Sequence, residues 1–232
     1  MPQTLKSTKA IQIKELLRIA DRTTPITKDQ YLFHEGEKAE ELYLILSGKV
    51  QISKVTADGR ILTLRICGES DICGELTLFT DEPKYLLSAK VLEDGEMAII
   101  KKEVLEKTIF ENSALAYEFM KWMSDHFRKT QTKFRDLVLH GKKGALYSTL
   151  IRMTNSYGVH KKDGILIDLP LTNQKLGDFC GTSRESTNKT LNELKREGII
   201  SVVKGKITIH DLQYLKNEIG CENCPAVYCN IE

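Results

Sequence analysis

The 232 residues are 41% hydrophobic and 28% charged with a net charge of +2. That is the balance of an ordinary globular chain with room for two small domains, not of a uniformly basic nucleic-acid binder. No stretch approaches the roughly 20 apolar residues of a membrane span, and the N-terminus lacks a secretion signal's apolar run, so a cytoplasmic protein without a membrane partner is expected.

Residues 1–20 mix basic and apolar positions and predict a short helix around Ile11–Ala20. From Thr27 the pattern becomes short runs of Tyr, Leu, Ile and Val, broken at Glu35-Gly36, Ser47-Gly48, Asp58-Gly59 and Cys73-Gly74. These predict a small antiparallel barrel or roll ending near Lys101, with a hairpin at Ala57-Asp58-Gly59. Asn112 to His140 contains neither Gly nor Pro. Ala116, Phe119, Met123, Phe127, Thr130, Phe134 and Leu137 recur there every three or four residues, as one stripe of a helix roughly 40 Å long. Such a stripe outreaches a small domain, so it is read as a dimer seam rather than an intrachain core. His140-Gly141 is the expected stop.

Residues 144–157 predict another amphipathic helix, and Asp163-Gly164 turns into the strand ILIDLPLT. Two short helices follow, Asn173–Cys180 and Ser183–Glu197, separated by Gly181-Thr182. Val202–Ile209, with Gly205 at its tip, reads as a hairpin. Helix, tight turn, helix and two-stranded wing make a winged helix-turn-helix. Thr172 and Ser183 are candidate caps, and Leu176, Phe179, Leu191 and Leu194 face inward. This leaves Arg184, Glu185, Asn188 and Lys189 facing outward near the start of the second helix. Arg can donate two bonds to guanine and Glu can accept from cytosine N4, while Ser183 and Thr187 are candidate phosphate contacts. On an isolated helix this face would be read as merely solvated; cap, turn, inward leucines and wing together point to double-stranded DNA. Charge agrees: residues 1–110 hold 16 Lys and Arg against 18 Asp and Glu, residues 141–232 hold 13 against 10.

The six cysteines are not read as structural disulfides in a reducing compartment. Three crowd the end of the chain as CENCPAVYC: Cys221, Cys224 and Cys229. Thiolates so spaced suit an iron–sulfur cluster or structural zinc, and a Cys-Pro step occurs in ferredoxin-like runs. The tail alone leaves cluster and zinc open, beside reactive thiols or an unliganded terminus, although no His follows at zinc-knuckle spacing. Candidates for a fourth ligand are Cys180, Cys67, Cys73, His140, Asp136 and solvent.

GEKAEELYLILSGKV (36–50), GELTLF (74–79) and TSRESTNKTL (182–191) resemble the Crp/Fnr family of transcription regulators. The resemblance implies an α+β chain: an antiparallel, cyclic-nucleotide-binding-like β-roll sensor (1–110), a long dimerisation helix (111–141), a winged helix-turn-helix (142–215) and a cysteine-rich tail (216–232). It implies a homodimer on a TGTGA…TCACA palindrome, with Arg184 and Glu185 as base readers. Lys189 departs from the family's usual Arg, and a point charge is not a planar fork. RNA polymerase is the implied further partner, met by exposed loops such as the hairpin Lys54 to Arg60.

The family's cyclic-nucleotide binders place an Arg-Ser or Arg-Thr pair after the GEL motif. Here Tyr85 and Leu86 stand there, with Lys84 adjacent and Glu75 left without that partner, so no cyclic nucleotide is expected. FMKWMS, RDLVLHGKKGALYSTLIRMTNSYGV and CENCP resemble in particular the Bacillus-type Fnr branch of anaerobic regulators. That branch carries C-terminal cysteines and a [4Fe–4S] cluster, with an aspartate matching Asp136 as fourth ligand. An acidic residue there opposes the helix dipole, and the plain reading is a solvated Asp paired with Lys133 or Lys142. The alternative is a Crp-like regulator with zinc or redox thiols in the tail. An enzyme on a cupin-like barrel would need a His/Glu metal set in the roll, which offers only His34.

Overall fold

Alternation of side chains at period two lets the long strands of the first sheet serve two cores at once. The computed structural model describes residues 15–231. Its first sheet holds β1 (Arg22–Ile26), β2 (Tyr31–Phe33), β3 (Glu41–Val55), β4 (Ile61–Cys67), β5 (Ile72–Cys73) and β6 (Ser88–Lys101). The order is β1-β6-β3-β4, with β2 also on β6 and β5 also on β3. On β3, Tyr43 and Ile45 join Phe33, Cys67, Cys73, Tyr85, Met97 and Ile99 in one cluster. Leu42 and Leu44 turn to the other face, toward Ala98, Ile100, Leu105 and Phe119. That second cluster seats α1 (Lys102–Glu111) and the beginning of α2 (Ser113–Tyr157). Of the predicted N-terminal helix, residues before 15 lie outside the described residues; 15–18 are helical and Leu16 is buried.

Helix α2 is interrupted at Gly141, whose φ of 59° and ψ of −159° are not helical. L side chains rarely adopt that φ, so glycine is what lets the chain break there, where the sequence predicts a stop. The predicted apolar stripe on 113–140 divides in two. Phe119 is buried and Met123 packs with it against the sheet. Tyr117, Met120, Phe127, Phe134 and Val138 are instead exposed in the single chain. The two stripes adjoin on the helix, so three-and-four spacing merges them.

The C-terminal part runs residues 142–157 of α2, β7 (Gly158–Lys161), β8 (Gly164–Ile167), α3 (Asn173–Cys180), α4 (Arg184–Arg196), β9 (Ile200–Val203), β10 (Lys206–Ile209) and α5 (Leu212–Glu218), with β7 and α5 added to the predicted elements. The second sheet runs β7-β8-β10-β9, antiparallel throughout. Strand β7 is not expected from the sequence: Val159, His160 and Lys161 are all exposed on an edge, so no apolar alternation announces it. By internal contacts the chain forms two compact units, one of residues up to Val55 with Leu64–Ser124, the other of Thr56–Thr63 with Asp125 onward. Among the described residues no helix is long and apolar enough to cross a membrane.

Candidate functional site

The helix-turn-helix is built by its caps. Thr172 accepts from Lys175 N at 3.1 Å and opens α3. Gly181 closes it in the left-handed region, φ 60°, and turns the chain. Ser183 accepts from Ser186 N at 3.2 Å and opens α4. Leu176, Leu191 and Leu194 are buried, whereas Phe179 is only half-buried. Arg184, Glu185, Asn188 and Lys189 are all exposed on the first turns of α4, with Ser183 beside them. Asn188 accepts from Asn173 Nδ2 at 2.9 Å, which ties the reading face to α3. Thr187 is a correction: it is 1% exposed and its hydroxyl donates to the Ser183 carbonyl at 3.0 Å. That hydroxyl is turned into the helix pair and cannot meet a phosphate.

In the roll, the positions following the GEL motif are filled by the chain itself. Tyr85 is buried, its ring stacks on Phe33 with centroids 3.8 Å apart, and its hydroxyl donates to Glu41 O at 2.7 Å. Glu75 has found another partner: Arg65 Nη2 lies 2.9 Å from both of its carboxylate oxygens and 2.7 Å from Ile72 O. Leu86, beside Tyr85, is exposed.

Asp136 is not a solvated helix-end carboxylate. It is 3% exposed and pairs with Arg135 and Arg152. Its Oδ1 accepts from Arg135 Nε and Nη2 at 3.0 and 2.8 Å. Its Oδ2 accepts from the Ser148 hydroxyl and from Arg152 Nη2, the latter at 3.2 Å. Two guanidinium groups thus answer the unfavourable helix dipole, and hydrogen bonding to Asp136 raises the pKa of Arg135. Ser148 and Arg152 are one turn apart in an apolar stretch, LYSTLIRM; a buried Ser-x3-Arg pair is the signal that could have located them.

The cysteine tail lies against this network. Arg152 Nη1 donates to Tyr228 O at 3.1 Å, Asn155 Nδ2 to Cys229 O at 2.6 Å, and Ile231 N to Ser156 Oγ at 3.0 Å. Arg128 lies 5.4 Å over the Tyr228 ring, and Arg135 pairs with Glu222. The tail thiols are free and partly accessible, whereas Cys67, Cys73 and Cys180 are buried. Burial pushes the Cys180 thiol up to about 12, and Cys67 and Cys73 belong to the roll core.

Cysteine thiolates are the ligand type of iron–sulfur clusters and of structural zinc alike. Burial raises the Cys229 pKa, the charge of Arg152 opposes that rise, and the charges of Cys221, Cys224 and Asp136 add to it. Among the described residues no three His, Cys, Asp or Glu are placed to hold a single ion. Both oxygens of Asp136 are already engaged, so ligation would require it to give up one of these bonds.

Residues 23–112 match the cyclic nucleotide-binding domain, and residues 145–218 the Crp-like helix-turn-helix domain. The chain is 59% identical over 219 residues to the anaerobic regulatory protein of Bacillus subtilis (strain 168), covering 94% of this chain and 92% of that one. Among solved structures it is similar to the c-di-GMP responsive global regulator CLP of Xanthomonas campestris, at 22% identity and a TM-score of 0.75, covering 87% of this chain and 99% of that one. A CooA mutant from Carboxydothermus hydrogenoformans gives 21% identity and 0.74, covering 88% and 90%. At those identities the two structures bear on the fold alone.

Proposed function

We propose that this chain, which belongs to the Crp/Fnr family of transcription regulators, reads TGTGA-type palindromes as a cytoplasmic homodimer and answers to oxygen through a [4Fe–4S] cluster on Cys221, Cys224, Cys229 and Asp136. The observation that carries the reading is the docking of the three-thiol tail beside a buried aspartate. The anaerobic role printed in the name of the Bacillus subtilis relative supports it.

When bound, the cluster supplies an oxygen-labile crosslink among those ligands. Asp136 precedes the winged helix-turn-helix in the chain and the cysteines follow it. A grip on both ends therefore closes a loop that contains the whole DNA-binding domain and restricts it. Specific binding requires the two reading helices of a dimer about one DNA turn apart. Arg184, Glu185, Asn188 and Lys189 then meet base edges, with Ser183 at a phosphate. A loosened clip loses base contact first and keeps salt-dependent phosphate contact. The domain boundaries proposed are 1–110, 111–141, 142–215 and 216–232. The exposed hairpin Lys54 to Arg60 is offered to RNA polymerase. The Tyr85–Phe33 stack supports a roll that takes no cyclic nucleotide.

The test is metal and sulfide analysis after oxygen-free purification. About four irons with matching acid-labile sulfide per chain are expected, with duplex binding weakened by air. Zinc without iron ends the cluster claim and leaves a Crp-like regulator with a zinc or thiol site. Unchanged iron and visible absorbance in anaerobic Asp136→Ala removes Asp136 from the ligands.

A further inference from the structure

We infer that Arg152 docks the C-terminal tail on α2 through protein contacts alone, which positions the tail thiols beside Asp136 whether or not a metal centre is present. The inference rests on the cluster reading only for what the positioned thiols are for.

Arg152 has a side chain only 3% exposed. A buried guanidinium is tolerated only where its charge is paired and its donors are satisfied. Asp136 pairs the charge at 3.2 Å, and Ser148 Oγ takes Nε at 3.2 Å. The acceptor for Nη1 is the tail's own Tyr228 carbonyl, at 3.1 Å. Undocking the tail would strip that acceptor from a buried, charged donor, the expensive way to lose a hydrogen bond.

The remaining contacts grip both ends of the cysteine run without using sulfur. Arg135 holds Glu222, next to Cys221. Asn155 holds the Cys229 carbonyl, and Ser156 accepts from Ile231, which is 2% exposed. Between the ends, Tyr228 N and Cys229 N both donate to Pro225 O, at 2.9 and 3.1 Å, and fix the turn from Cys224 to Cys229. Such a handful of bonds makes a latch that still opens. A bound centre would tighten the latch, and its loss would leave the thiols assembled for refilling.

Amide exchange on the full-length chain, kept reduced with a chelator and verified free of iron, tests this. Amides 228–231 are expected to exchange about tenfold or more slowly than in the isolated tail peptide. Arg152→Gln should remove most of that protection, Arg152→Lys should restore part of it, and α4 amides should not change. Should Arg152→Gln also unprotect α4, the exposed Asn155 decides: Asn155→Ala should speed tail exchange about fivefold. A wild-type tail exchanging at peptide rates overturns the inference, as does tail protection unchanged in whichever variant keeps α4 protected. Parallel anaerobic reconstitution separates the two claims. A protected tail that takes up no iron keeps this inference and removes the cluster, whereas iron uptake on an unprotected tail does the reverse.

Discussion

Arg65 places Nη2 2.9 Å from both carboxylate oxygens of Glu75, with side-chain exposures of 15% and 11%. The glutamate of the roll motif is therefore the counter-ion of Arg65. Arg65 Nη1 already lacks a hydrogen-bond partner. Removing the carboxylate leaves the guanidinium its bond to Ile72 O but takes away its counter-ion, so Glu75→Ala should destabilise the roll by about 3–5 kcal/mol. The chain's single tryptophan, Trp122, has Arg65 5.9 Å over its ring, so its fluorescence can follow urea unfolding. Arg65→Ala combined with Glu75→Ala should cost less than the sum of the two; additive effects would mean the pair is not coupled.

Buried tyrosines give stability an alkaline limit. Burial raises the pKa of Tyr43 and Tyr85, and pushes Tyr147 up to about 12. Above the ordinary tyrosine pKa the unfolded chain loses these protons while the folded chain keeps them. Stability is then fully present below about pH 10 and falls as pH rises beyond it. Ultraviolet titration should show Tyr43 and Tyr85 ionising above the ordinary tyrosine range and Tyr147 only near pH 12. Smooth titration of all eight at ordinary pH would refute it.

On the reading helix, burial sorts the residues. Arg184 is exposed, and Arg184→Ala should weaken binding to a TGTGA palindrome by about 1–3 kcal/mol while hardly changing binding to unrelated duplex. Thr187 is inside, so Thr187→Val should lower the unfolding midpoint and leave the salt slope alone. A shallower salt slope in that variant would restore Thr187 as a phosphate contact.

Thiol accessibility divides the cysteines three and three. The tail thiols are partly exposed, whereas Cys67, Cys73 and Cys180 are 0–2% exposed. An uncharged alkylating reagent near neutral pH should modify Cys221 and Cys224 quickly, Cys229 more slowly because burial raises its pKa, and the others only on unfolding. Peptide mapping that finds Cys180 among the fast sites would contradict this burial.

Elements were legible where one physical signal dominated. The caps at Thr172 and Ser183, the glycine break at 141 and the buried Leu191 and Leu194 all follow from local chemistry. The division of the α2 stripe was not legible, because Phe119 and Met120 are adjacent in sequence and only packing on the sheet tells which is covered. Nor was the new partner of Glu75: Arg65 lies ten residues earlier on β4 while Glu75 sits in the turn after β5, and such a pairing has no sequence period. The tail thiols announced themselves by spacing. Arg135, Ser148 and Arg152 did not, since their partner Asp136 looked solvated until the fold buried it.

The exposed face of α2 sets the last prediction. Met120, Phe127 and Phe134 are 62–66% exposed and seven residues apart. A seven-residue apolar repeat lies along one side of a helix and is the signature of helix-to-helix pairing. Leaving three such side chains in water forgoes roughly 1.5–3 kcal/mol of burial each. A second copy of the same helix would cover them by twofold symmetry, one stripe against its equivalent. Phe127→Lys with Phe134→Lys places like charges across such a seam, and should convert a dimer to a monomer in sedimentation. Because both positions are exposed within the chain, the variant monomer should stay folded, as read by unchanged helix content. Specific DNA affinity should fall with it, since half-site spacing depends on the pair. A double variant that sediments as a dimer would move the interface elsewhere.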